Sequence, residues 1–210
     1  MPYTGKPKGY DQLVGMGDEK YVSGSTTQES SQKPMVVKET FMYFKDYEKS
    51  PNYVKAQYYL TKLVHALFPA NVPDVYFSSV KDGDKITVDQ RIEVVDGERT
   101  KKKDSADQDT KRKIDLVKVG FEKLDLNFDR FDWNFNIDKD GNAVYMDSFR
   151  PWLDFKQTGV PILRFNEQTA KKMIDNIRDN RAKEECLNYL QRVSVLFKAE
   201  LERLEKQNNI

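Results

Sequence analysis

Polar side chains that could hold a metal ion are concentrated between residues 127 and 149. The segment is NFDRFDWNFNIDKDGNAVYMDSF, in which carboxylates and amides alternate with aromatic residues. Carboxylate and amide oxygens are ligands that hard cations such as Ca²⁺ and Mg²⁺ accept. Three interpretations follow: a calcium-binding loop, a solvated hairpin without a ligand, and a magnesium site.

The calcium interpretation depends on spacing within residues 136–147. Asn136, Asp138, Asp140, Gly141, Asn142 and Asp147 match oxygen-donor and glycine positions of an EF-hand loop. The last position of that loop is normally a glutamate, and Asp147 is one methylene shorter. The following AVYMDSF has the composition of a strand and not of an exiting helix. A single calcium-binding loop at 136–147 is therefore kept as one alternative.

The hairpin interpretation depends on apolar residues that recur at every second position on both sides of a turn. Phe135, Ile137, Val144 and Met146 can belong to two strands around an Asp-Lys-Asp-Gly turn. We predict this hairpin under all three interpretations. By itself, however, it does not explain why acidic and amide residues also lie at both strand ends.

The third interpretation, a magnesium site, depends on the acidic and amide residues at the two strand ends. Asn127, Asp129 and Asn134 have the spacing of the kinase catalytic loop H-x-D-x-x-x-x-N, with Asn127 in place of histidine. Asp147 follows the hairpin, where the metal-binding aspartate of D-F-G would stand, although Ser148 replaces the aromatic residue. The segment thus resembles the protein-kinase-like superfamily, and is closest to aminoglycoside phosphotransferases, lipopolysaccharide kinases and RIO-type kinases.

Other parts of that family's pattern occur upstream in the expected order. The run GMGDEKYV from Gly15 resembles the glycine-rich loop G-x-G-x-x-G-x-V, with Lys20 in place of the third glycine. VVK, ending at Lys38, resembles the V-A-I-K strand, and Gln57 stands where the family has a glutamate that pairs with this lysine. VPDVYFSS and ITVDQRIE resemble the strands that lead to the hinge. The resemblance covers residues 15–149.

The resemblance implies an α+β, two-lobed protein-kinase-like fold that binds ATP and Mg²⁺ in a central cleft. It has an N-terminal antiparallel sheet plus one helix, and a reduced helical C-terminal lobe. Asp129 would position the acceptor hydroxyl, and Asn134 and Asp147 would bind the metal. The implied nucleotide-binding residues are Gly15, Gly17, Lys38, Gln90 and Ile92.

Pattern and composition divide the chain into three regions. Residues 1–98 form the predicted N-lobe, in which MVVKETFMYF is a strand, 51–68 is a helix, and KDGD joins two further strands. Residues 99–113 form a charged linker, with a solvated helix end as the alternative. Residues 114–210 form the reduced C-lobe, with the hairpin at 127–149 and then two helices.

Composition limits the partners. The 35 lysines and arginines nearly cancel the 34 aspartates and glutamates, so no net field favours nucleic acid or membrane. One histidine and one cysteine exclude multi-histidine sites and an internal disulfide. Without an apolar leader or membrane-length run, we expect a cytoplasmic protein. The expected partners are a nucleotide and an unknown acceptor. The alternative is an inactive kinase-like binding or scaffold protein whose helices within 166–207 contact a protein partner.

Overall fold

The fold of the protein is given by a computed structural model. It describes residues 12–16, 20–24, 36–43, 51–82, 85–93, 97–99, 107–147, 149–153 and 162–208. Within these ranges the chain forms ten β-strands, four α-helices and one short 3-10 helix. The fold is therefore of the mixed α and β class that the sequence predicts.

Five strands form one antiparallel sheet. They are β1 (Gln12–Met16), β2 (Lys20–Gly24), β3 (Val36–Tyr43), β4 (Val75–Asp82) and β5 (Lys85–Glu93), in the spatial order β1-β2-β3-β5-β4. The β-branched and aromatic residues that dominate β3 and recur along β5 suit a pleated backbone. Strands β4 and β5 pair up to Asp82 and Lys85, so the predicted KDGD hairpin is confirmed.

Helix α1 (Pro51–Leu67) agrees with the predicted helix over 51–68. Its fully buried residues repeat at three- and four-residue intervals, so they form one apolar stripe. These residues are Ala56, Leu60, Leu63 and Val64. The helix packs along α4 (Asn180–Asn208), where the Asn52 side chain donates a 3.2 Å hydrogen bond to the fully buried Glu200. Arg203 donates to the same carboxylate at 2.6 Å, so this buried charge is paired.

Helix α2 (Gln108–Lys123) begins inside the segment 99–113 that the sequence analysis assigns to a linker. The alternative of a solvated helix end is correct for the second half of this segment, from Gln108 onward. The Asp107 carboxylate caps the helix by accepting the Thr110 N–H at 2.9 Å. The first helical turns are charged and exposed, and buried residues begin only at Ile114. The helix therefore lacks an apolar stripe where it starts, and composition alone suggests a linker.

The remaining elements include strands and a helix that contribute to a core rich in aromatic residues. They are β6 (Gly97–Arg99), β7 (Phe135–Asp138), β8 (Ala143–Tyr145), β9 (Trp152–Leu153), β10 (Ile162–Leu163) and α3 (Glu167–Asp175). Strands β6, β7 and β8 form a three-stranded sheet, and β9 pairs with β10. Phe121 of α2 lies at the centre of the core, with its ring edge-to-face against four other aromatic rings.

The described chain divides into two compact units. One contains strands β1 to β5, and the other contains all four helices with strands β6 to β10. Helix α1, which the sequence analysis groups with the sheet in residues 1–98, falls in the helical unit because it packs on α4. Among the described helices, none has the length and apolar composition needed to cross a membrane.

Candidate functional site in the 127–149 segment

The predicted hairpin is present in the segment. Strands β7 and β8 pair antiparallel, with Phe135 opposite Tyr145 and Ile137 opposite Ala143. The turn between them contains Gly141 at φ +79, a left-handed conformation that glycine adopts without steric cost. Strand β6 lies on the other side of β7 and completes the sheet.

The carboxylate of Asp138 organises the turn. Its Oδ1 accepts the backbone N–H groups of Asp140 at 2.9 Å and Asn142 at 2.7 Å, and its Oδ2 accepts the Asn142 side chain at 3.0 Å. Both oxygens are therefore used within the turn. The described residues contain no group of three or more acidic, histidine or cysteine side chains able to hold a metal ion. This geometry favours a hairpin turn over the calcium-loop alternative at 136–147.

The same hydrogen bonds set the acidity of Asp138. Burial alone would raise the pKa of Asp138, but the side-chain and backbone hydrogen bonds from Asn142 and the backbone N–H of Asp140 outweigh it. The pKa is lowered from its ordinary value of 3.8. The ionised carboxylate therefore stabilises the folded state above about pH 4, and this stabilisation is lost as the pH falls through the lowered folded-state pKa.

The variant Asp138→Ala tests this role. We expect its free energy of unfolding to be lower than that of the wild type at pH 6, and the difference to shrink as the pH falls below about 4. The effect is modest because solvent screens an accessible carboxylate. Urea unfolding at several pH values measures it, with Asp140→Ala as the matched control because no described residue donates to that side chain. A difference that does not change with pH would contradict the assignment.

Two predicted metal-binding residues lie at the open end of the hairpin. Asn134 precedes β7 and Asp147 follows β8. The backbone N–H of Met146 donates to the Asn134 carbonyl oxygen at 2.8 Å, which adds one backbone hydrogen bond beyond the paired residues of β7 and β8. The side-chain amide nitrogen of Asn134 is buried and has no hydrogen-bond partner among the described residues. This amide N–H can donate to an acceptor such as a phosphate oxygen, whereas a cation would need the amide oxygen of the same side chain.

Asp129, the predicted acceptor-positioning residue, is exposed and is held at two points. Its backbone N–H donates to the phenol oxygen of Tyr145 at 3.0 Å. Its Oδ1 accepts the backbone N–H of Phe131 at 3.2 Å, an Asx turn. Within the part of the chain that the structure describes, Asp129 forms no ion pair.

Tyr145 is hydrogen-bonded to Asp129 and is not among the site residues predicted from the sequence. It lies in β8 and is 1% exposed. Burial raises the pKa of Tyr145 well above its ordinary value of 10, and the carboxylates of Asp147 and Asp129 raise it further. Both charges therefore act on one buried phenol. The kinase motif contains no tyrosine here, and alternation alone identifies Tyr145 only as a strand residue.

Charged and aromatic side chains surround the segment between Asp129 and Asn134. Asp132, at the start of the 3-10 helix, forms a 2.5 Å ion pair with Lys118 of α2. The Phe131 and Trp133 rings stack at 4.0 Å with an interplanar angle of 12°. The segment is thus fixed to α2 on one side, while Phe131 is 53% exposed.

The predicted nucleotide-binding residues belong to the sheet unit, apart from Gly17, which lies outside the described residues. Gly15 lies in β1 beside a register irregularity, opposite Val22. Lys38 lies in β3, between Ser23 of β2 and Arg91 of β5.

The pairing of β5 argues against the predicted adenine contact. Gln90 lies opposite Glu39 and Phe77, and Ile92 lies opposite Val37 and Val75. Because β5 is paired on both sides, its backbone N–H and C=O groups belong to the two ladders. ITVDQRIE forms one strand to Glu93, whereas a hinge needs backbone groups that are not used in pairing.

Asn134 and Asp147 therefore lie at one end of the hairpin, and the backbone N–H of Asp129 is hydrogen-bonded to Tyr145 of its second strand. The three side chains offer two carboxylates and one amide oxygen. This donor set suits a hard cation such as Mg²⁺, which takes oxygen ligands and is commonly bound by one or two carboxylates together with phosphate. The donors fit in chemical type the Mg²⁺ site that the motif implies.

Comparisons with known proteins give little further information. Neither a protein-family model nor the sequence of a curated protein matches this chain. Among solved structures, the chain is similar to the Rio2 kinase of Chaetomium thermophilum, in a complex with ADP, Mg²⁺ and phosphoaspartate. The match has 12% sequence identity and a TM-score of 0.37, and it covers 94% of this chain and 71% of that chain. A TM-score of this size does not establish a shared fold.

Proposed function

We propose that the chain is a kinase-like phosphotransferase that binds ATP with Mg²⁺ and transfers phosphate to a hydroxyl acceptor. In this proposal Asp129 accepts the proton of the acceptor hydroxyl, and Asn134 and Asp147 hold the metal through their side-chain oxygens. Lys38, Gly15 and Gly17 are the proposed phosphate contacts, on the resemblance of their sequence to the glycine-rich loop and the lysine strand.

One observation carries the proposal. Three residues with the spacing of a catalytic loop and its metal-binding aspartate are attached to one hairpin, two of them at the same end. The Met146–Asn134 backbone bond brings two of them to that end, and the Asp129–Tyr145 bond ties the third to the adjoining strand. Sequence spacing alone does not require that these residues be attached to the same hairpin.

The proposed chemistry follows from what each group can do. The acceptor oxygen forms a bond to the γ-phosphorus as the bond from that phosphorus to the bridging oxygen of ADP breaks, and the acceptor proton moves to Asp129. Bound Mg²⁺ would neutralise the negative charge that develops on the phosphate oxygens. The Asx turn leaves one oxygen of Asp129 without a partner among the described residues, so this oxygen can face a hydroxyl.

The variant Asp129→Asn tests the transfer step. We expect Mg²⁺-dependent release of ADP from ATP, with water as the acceptor hydroxyl, to fall by about 100-fold. ATP affinity should stay unchanged, because Asp129 is not a proposed metal ligand. The measurement is the steady-state rate of ADP formation in parallel with ATP binding by calorimetry.

Asp140→Asn is the matched control for that experiment. It makes the same change of charge at an exposed carboxylate in the turn at the other end of the hairpin. We expect its rate to stay within a fewfold of the wild type. Equal rates for the Asp129 variant and the wild type would contradict the role of Asp129.

A specific observation favours a second candidate, a protein that binds ATP with Mg²⁺ without transferring phosphate. Helix α1 carries the buried Gln57 where the family pattern has a glutamate, and a neutral amide cannot form an ion pair with a lysine. Binding of ATP with Mg²⁺ by the wild type, together with no release of ADP, would support this candidate.

A further inference from the structure

Tyr145 is fixed in place by packing on several sides. Its ring centroid lies 5.1 Å from that of Phe149, 5.2 Å from that of Phe135, 5.7 Å from that of Phe121 and 5.8 Å from that of Phe128. Its backbone N–H donates to the Asn71 carbonyl oxygen at 2.8 Å, which attaches β8 to the turn after α1. The position of the phenol oxygen is therefore set by the core and not by the exposed segment that it contacts.

Asp129, by contrast, lies on an irregular segment. It belongs to no helix or strand, and it is exposed. An exposed residue of this kind has many accessible backbone conformations, and holding it in one of them requires specific bonds. The Tyr145 oxygen supplies one at the N–H of Asp129, and the Phe131 N–H supplies the other at its carboxylate.

We propose that Tyr145 is the positioning residue of this site, because its buried phenol oxygen fixes the backbone of Asp129 against the hairpin that carries Asn134 and Asp147. Tyr145 does not contact the acceptor in this role and acts only through Asp129. The catalytic consequence rests on the proposed function, whereas the hydrogen bond itself does not.

The variant Tyr145→Phe isolates this role, because it keeps the ring in the core and removes only the oxygen. Exchange of the Asp129 backbone amide with solvent, measured by NMR, should become about fivefold faster, as expected for the loss of one hydrogen bond. Exchange of the Met146 amide, which is bonded to Asn134, should change less than about twofold. The turnover number for ADP release should fall by about tenfold while the KM for ATP stays constant.

Tyr189→Phe is the matched control. The Tyr189 hydroxyl donates to Glu185 within α4, so the variant removes a bonded phenol oxygen from another part of the same unit. We expect it to leave exchange of the Asp129 amide unchanged. Any effect of Tyr145→Phe that Tyr189→Phe reproduces is a general effect of losing a tyrosine hydroxyl.

The outcomes separate the two proposals. Unchanged exchange at Asp129 in Tyr145→Phe would overturn the positioning role, and so would equally faster exchange across residues 135–146, because Tyr145 would then only pack the hairpin. Faster exchange at Asp129 alone would support the role. If the wild type releases no ADP, the proposed phosphate transfer is wrong. Exchange of the Asp129 backbone amide still decides whether Tyr145 holds Asp129.

Discussion

Replacement of Asp147 by alanine is expected to abolish the Mg²⁺-dependent part of ATP binding. Asp147 is the one carboxylate in the proposed pair of metal ligands, and Asn134 can contribute only a neutral amide oxygen. Without the carboxylate, Mg²⁺ and the triphosphate would lose the negative ligand that joins them to the hairpin. Calorimetric titration of ATP with and without Mg²⁺ measures the effect, and the two affinities should become equal in the variant.

Asp140→Ala is the control for this prediction. It removes a carboxylate from the exposed turn at the other end of the same hairpin, so it changes the net charge equally without touching the proposed site. We expect it to retain the Mg²⁺ dependence of the wild type. A Mg²⁺ dependence that survives in Asp147→Ala would remove Asp147 from the proposed metal site.

Replacement of Phe121 by alanine is expected to lower the free energy of unfolding by about 4 kcal/mol. Phe121 is fully buried, and its ring lies edge-to-face against those of Phe68, Phe128, Tyr145 and Phe149. Alanine would leave a cavity at the centre of this cluster and would remove all four ring contacts. Urea unfolding monitored by fluorescence and by circular dichroism gives the measurement.

Phe131→Ala is the matched control, because it removes the same side chain from an exposed position. Phe131 is 53% exposed and makes one stacked contact, with Trp133. We expect a loss of about 1 kcal/mol or less. Similar losses in the two variants would contradict the assignment of Phe121 to the centre of the core.

The parts of the fold that follow local rules could be predicted from the sequence. The alternation around the Asp-Lys-Asp-Gly turn predicts the β7–β8 hairpin, and the apolar spacing after Pro51 predicts α1 to within a residue. The KDGD turn predicts the pairing of β4 with β5. In each case the residues that determine the element lie within it or next to it.

Features that depend on distant residues could not be predicted in this way. The grouping of α1 with the helical unit depends on packing against α4, more than 100 residues later. The beginning of α2 was missed because its first turns are charged, and only the cap at Asp107 marks it. The pairing of β5 on both sides, which argues against a hinge at Gln90 and Ile92, is a property of the sheet and not of the strand.

The residues of the candidate site likewise divide into those that could be predicted from the sequence and those that could not. Asp129, Asn134 and Asp147 could be selected because their spacing resembles that of the kinase catalytic loop and its metal-binding aspartate. Tyr145 could not, because its role depends on a bond across the hairpin from a buried ring to the backbone of an exposed loop. A sequence motif records which side chains would meet a ligand, but it does not record which core residue holds them.

The measurement that tests the central claim most directly is thermal unfolding of the wild-type chain with ATP and Mg²⁺, with ATP in EDTA, and with Ca²⁺ alone. At a ligand concentration of 100 times Kd, binding should add about 2.7 kcal/mol and raise the Tm by roughly 5–10 °C. We predict a saturable rise in Tm that requires ATP and Mg²⁺ together. No rise, or an equal rise in EDTA, would contradict the proposed metal–nucleotide site, and a rise with Ca²⁺ alone would favour the calcium loop at 136–147.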